Sequence, residues 1–116
     1  MTALLELPAK AAIYVETHGW TQGTMKDSEG RVCLTGALKE CSTEPGDWYL
    51  ITEVYRKRDR AESWNDRDER TAEEVIAELR QPITDADLTD TFGPQAPQIV
   101  ELVRKAATLT YDQAIR

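Results

Sequence analysis

Histidine and phenylalanine occur once each in this 116-residue chain, and cysteine only twice. Leu, Ile, Val and Phe together make up roughly a fifth of the residues, near the lower bound for a folded domain. A single histidine leaves little for a metal centre or a proton relay to draw on. Cys33 and Cys41 are a poor disulfide framework, and without an export signal they are expected to be reduced thiols. No apolar run approaches the 18 or so residues of a membrane span. The segment Met1–Glu6 lacks the basic start of a secretory signal, so a cytoplasmic location is expected. Basic residues are outnumbered, with 14 Lys and Arg against 21 Asp and Glu and a formal charge of −7. Nucleic acid is therefore not the partner expected. Three Trp and four Tyr supply ring volume that the aliphatic count misses, enough for one modest core.

Helical spacing dominates what is present, and the fold class expected is mainly α, a single compact domain over 1–116 of five to six short helices. Leu4, Leu7, Ala11, Tyr14, Val15 and His18 share one face. Pro8 would clash with the Leu4 carbonyl, which predicts that the regular helix begins near Pro8. Asp27-Ser-Glu-Gly30 reads as a turn, with a possible small β-hairpin over residues 23–33 around it. Leu34, Ala37, Leu38 and Cys41 give a short helix. Asp47 is the expected cap of a helix bearing Trp48, Ile51, Val54 and Tyr55. Residues 61–70 read as a polar loop with one aromatic anchor, Trp64. Thr71 and Glu74 form a capping box for a helix ending at Pro82. Thr84 and Asp87 start another before Gly93-Pro94. Pro97 opens a last one with Ile99, Leu102, Val103 and Ala106 on its face, and Thr110 and Gln113 suggest a separate final turn.

Several side chains suggest chemistry. Cys33 with His18 as base and Asn65 to orient it would make a cysteine hydrolase or transferase, and a helix N-terminus would depress the thiol pKa. Against this stands the reading of Cys33 as a small buried residue. Cys33, Cys41 and His18 match no zinc spacing, so no metal and no cofactor are expected. The basic cluster Arg56, Lys57, Arg58, Arg60, Arg67 and Arg70 is interleaved with acids and reads as a salt-bridged face. Acidic residues crowd the last third, and a row of them would suit a nucleic-acid mimic. Trp20 and Trp64 either pin loops to the core or join a binding patch.

The stretches His18-Gly-Trp-Thr-Gln-Gly23, Asp27-Ser-Glu-Gly-Arg-Val-Cys-Leu-Thr-Gly-Ala-Leu38, Trp64-Asn-Asp66 and Arg70-Thr-Ala-Glu-Glu-Val-Ile76 resemble a domain-of-unknown-function family of small proteins from actinobacteria and their phages. The resemblance covers about residues 3–81 and leaves 82–116 as a C-terminal helical extension. Arg67-Asp-Glu69 stands where the family pattern has a Pro-Gly-like turn. The resemblance implies an origin and a compartment, the host cytoplasm if phage-encoded, and carries over no substrate, cofactor or catalytic residue. The leading expectation is a non-catalytic interaction or regulatory protein binding a host or self protein. Its surface would draw on Trp20, Trp64, Asp66, Glu73, Asp85 and Asp87. The alternatives are the Cys33/His18/Asn65 enzyme and the acidic mimic.

Overall fold

A computed structural model describes residues 2–44 and 46–114, with side chains for 4–44 and 46–107. Seven helices form among these residues: α1 (Thr2–His18), α2 (Leu34–Cys41), α3 (Asp47–Lys57), α4 (Glu62–Asn65), α5 (Ala72–Arg80), α6 (Asp85–Phe92) and α7 (Ala96–Ala114). The mainly α, single-domain expectation holds. None of these helices is long and apolar enough to cross a membrane.

The first helix starts earlier than the sequence suggests, because Pro8 lies inside it. An interior proline costs about 3 kcal/mol. Leu4 and Leu7 on the preceding turn are fully buried, and each gains about 2 kcal/mol by leaving water. Burial of that face keeps the turn helical through the proline. Helix α1 then packs against α2 and α5, and Leu4, Leu7, Ala11 and Val15 join Leu34, Leu38, Val75 and Leu79 in one core.

The hairpin expected over 23–33 is reduced to single-residue bridges, with Val32 pairing both Trp20 and Lys26. The turn itself is as read: the Asp27 carboxylate accepts from the N–H groups of Glu29 and Arg31 at 3.0 and 2.9 Å. A strand has no room to continue, because the chain enters α2 at Leu34, two residues after the bridge. Val32 instead uses its backbone on the α1 side, donating to Gly19 O, while Thr21 N donates to its carbonyl.

Asp47 does not cap α3. Gly46, at φ 95°, takes that place, and Asp47 is buried against Arg104 of α7. The two bonds, Nε to Oδ1 at 2.7 Å and Nη2 to Oδ2 at 2.9 Å, form a bidentate fork. Gly46 also lets α7 come close, since Val103 and Ala107 fill the space a Cβ would need. These contacts set the rotation of α7. Among its described residues Ala96 and Val100 are buried and Val103 packs against the core, while Leu102 is 66% exposed. The expected face of Ile99, Leu102, Val103 and Ala106 is therefore turned largely outward. Helix α7 also runs unbroken past residue 110 in place of the separate final turn; the side chains of Thr110 and Gln113 lie outside the described residues.

Both capping boxes are present, Thr71 with Glu74 and Thr84 with Asp87. The polar stretch 61–70 contains one extra helical turn, α4. That turn carries the residue on which the candidate site depends.

Candidate functional site: the junction of the Trp20 and Asn65 loops

Helix α4 is short, and it points Trp64 and Asn65 inward. Trp64 is only 6% exposed. The Arg70 guanidinium lies 4.1 Å from its ring centre, and Arg60 approaches at 5.6 Å. Arg70 also donates through Nε to Trp64 O at 3.0 Å and pairs with Glu74. The indole is thus part of the core and offers a partner no exposed face, which corrects its place in a surface patch.

Asn65 holds three segments together. Its Oδ1 accepts from Trp20 Nε1 at 2.8 Å and from Leu34 N at 3.1 Å. Its Nδ2 donates to Thr21 O at 3.2 Å and to Asp66 Oδ1 at 2.9 Å. A side-chain amide has two donors and two acceptor lone pairs, so the capacity of Asn65 is filled. Gln22 Nε2 reaches the carbonyls of Asn65 and Arg67 at 3.0 and 2.8 Å. Asp66 Oδ1 also accepts from Gly23 N at 3.0 Å. The loop after α1, the start of α2 and the α4 turn are tied by one hydrogen-bond network.

Cys33 is the N-cap of α2, where Sγ accepts from Gly36 N at 3.3 Å. The helix N-terminus was expected to depress its pKa. Burial outweighs the bonds from the Gly36 and Thr35 amides, and the thiol is pushed up instead. An uncharged, buried thiol is a poor nucleophile. His18 is engaged elsewhere: Nδ1 donates to Tyr14 O at 3.2 Å, and its ring stacks on Tyr14 with centroids 3.9 Å apart. No described contact joins Cys33 to His18, and Asn65 has no valence left to orient an imidazole. The Cys33–His18–Asn65 grouping is not assembled. A cleft of about 160 Å3 does border Cys33, lined also by Gly23, Thr24, Met25, Glu62 and Asp66. The Asp66 carboxylate adds to the effect of burial in opposing thiolate formation.

The other candidates separate. Asp87 is spent on the Thr84 capping box and on Arg58 at 2.8 Å, whereas Glu73 and Asp85 are exposed. The basic cluster is salt-bridged as expected. Arg56 pairs with Glu53 and Glu62, Arg60 with Glu78, Arg67 with Asp59, and Lys57 donates to the Asp90 carbonyl. Among the described residues, no three His, Cys, Asp or Glu side chains gather as a metal site.

Sequence reading placed Arg70 only in the basic cluster; its partners, the Trp64 carbonyl and ring face, leave no mark in residue type or spacing.

A family model described as a family of unknown function (DUF6197) matches residues 1–85. That span holds the whole junction and stops at the start of α6. No curated protein and no solved structure matches the chain.

Proposed function

The chain belongs to DUF6197, a family of unknown function, and from that premise we propose that it is a non-catalytic cytoplasmic interaction protein that binds a protein partner. The observation that carries this reading is the complete use of Asn65. The residues a catalytic reading would recruit are consumed by internal bonds, and the one thiol at the junction is buried and protonated. What remains for recognition is surface: exposed Asp66, Glu73 and Asp85, half-buried Trp20, and the outer side of α7 around Leu102. Helix α7 lies outside the family match, which suits a variable recognition element on a common frame. The resemblance to proteins of actinobacteria and their phages favours a phage-encoded protein directed at a host protein.

Affinity capture from an actinobacterial lysate tests this with three baits, wild type, Cys33→Ala and Leu102→Asp, each checked for folding. The expected result is one enriched protein retained by wild type and by Cys33→Ala, and reduced with Leu102→Asp. No salt-resistant partner, or a partner lost with folded Cys33→Ala alone, would remove the proposal.

A further inference from the structure

A second cleft, of about 370 Å3, opens between the end of α3 and the end of α5. Its walls are Arg58, Arg60, Glu78, Gln81 and Pro82. Its lining carries two cations against one anion, in a chain whose formal charge is −7. The cleft beside Cys33 is lined by Glu62 and Asp66 without a cation, and another at the α6–α7 corner by Asp85 alone among charged groups. Of the three, only this one has cations in its lining.

The backbone holds both guanidiniums in place. Just past the end of α3, Asp59 sits at φ 57°. Asp59 N bonds to Arg56 O at 3.0 Å and Arg60 N to Tyr55 O at 2.8 Å. This is the double bond pattern of a Schellman stop, with aspartate where glycine is usual. The reversal sets Arg58 and Arg60 on the same cleft. Arg60 Nη1 donates to the carbonyls of Asp59 and Arg58 at 3.1 and 3.4 Å, and its guanidinium leans on Trp64. Arg58 is fixed by Asp87. A guanidinium has five N–H donors, and these bonds occupy only part of each fork. Glu78 approaches Arg60 at 3.8 Å, an ion pair beyond hydrogen-bond length.

We propose that this cleft binds a small oxyanion, the carboxylate or phosphate group of a ligand, between the Arg58 and Arg60 guanidiniums with the Gln81 amide beside it. Planar oxyanions match the guanidinium fork. Glu78 is the resident competitor for Arg60, so its charge sets the affinity.

The test is a nitrogen-15 NMR titration of the full chain with sodium acetate and, separately, sodium phosphate, at ionic strength held constant with sodium chloride. Saturable shifts are expected at residues 58–60 and 78–82. Acetate alone, phosphate alone or both would identify the oxyanion class, and each supports the site. Arg60→Gln should weaken binding about tenfold, and Glu78→Gln should tighten it about fivefold. A purely structural ion pair would give no tightening. Linear or absent shifts with both anions, or affinity indifferent to both Arg60→Gln and Glu78→Gln in folded protein, would overturn the proposal.

Discussion

Trp20 donates its indole N–H to Asn65 Oδ1 at 2.8 Å across 45 residues of sequence. This bond joins the loop that leaves α1 to the turn that precedes α5, and Leu34 N shares the same oxygen at the start of α2. The junction is the frame of the family-matched region, and its polar groups serve that frame.

Asn65→Ala would strand the Trp20 and Leu34 donors, and should cost about 3 kcal/mol in urea unfolding. Trp20→Phe should cost less, about 1 kcal/mol, because Oδ1 keeps its bond from Leu34. Equal losses for the two variants would mean that the indole itself, and not the amide, organises the junction.

Two glycines nearby separate steric from conformational need. A Cβ at Gly36 would overlap the carbonyl of Met25, which is backbone and cannot step aside. Gly36→Ala should therefore abolish folding or cost more than about 3 kcal/mol. Gly23 has open space around it but φ +79°, so Gly23→Ala should cost only about 1–2 kcal/mol. Thermal melts of the two variants check the order.

The capping box at Thr71–Glu74 and the helix start at Thr84–Asp87 were legible in the sequence, because each pair is three residues apart and the chemistry is local. The periods of α2 and α5 were legible for the same reason. Asn65 was singled out, but for the wrong partner. A bond across 45 residues has no spacing to read, so His18 stood in for Trp20. The α1 start was misplaced because a local rule about Pro8 met a tertiary effect, the burial of Leu4 and Leu7. The α7 face was misjudged because its stripe shows which residues align but not which way they turn. That rotation is set by Asp47 and Arg104, 57 residues apart.

Asp47 and Arg104 give the next expectation. Asp47 is 2% exposed, so Arg104→Ala strands a buried carboxylate and should cost about 3–5 kcal/mol. Asp47→Ala should cost less, because the guanidinium it leaves retains some solvent contact. Hydrogen exchange should then rise along α7 while the α1–α2–α5 core keeps its protection. Uniform loss of protection would contradict a separable α7.

The α6 cap predicts the acid limb. The Thr84 backbone N–H, with help from Arg58 and against the opposing effect of burial, holds the Asp87 carboxyl below its ordinary 3.8. A carboxyl with a lowered folded-state pKa contributes stability above its unfolded pKa and loses it as the pH falls through the folded value. The stability gap between wild type and Asp87→Asn should be full above about pH 5 and shrink below about pH 4. Urea midpoints across that range measure it, and a gap independent of pH would rule out an ionised cap.

Cys33 decides between a frame and a catalyst. The direct measurement is the pH dependence of its alkylation by iodoacetamide in the native Cys41→Ser protein. Burial should place the inflection above the free-thiol value of about 8.5, with slow reaction near neutrality and a large acceleration on unfolding in urea. An inflection below about 7 with rapid native alkylation would mean an activated nucleophile, and would contradict the account.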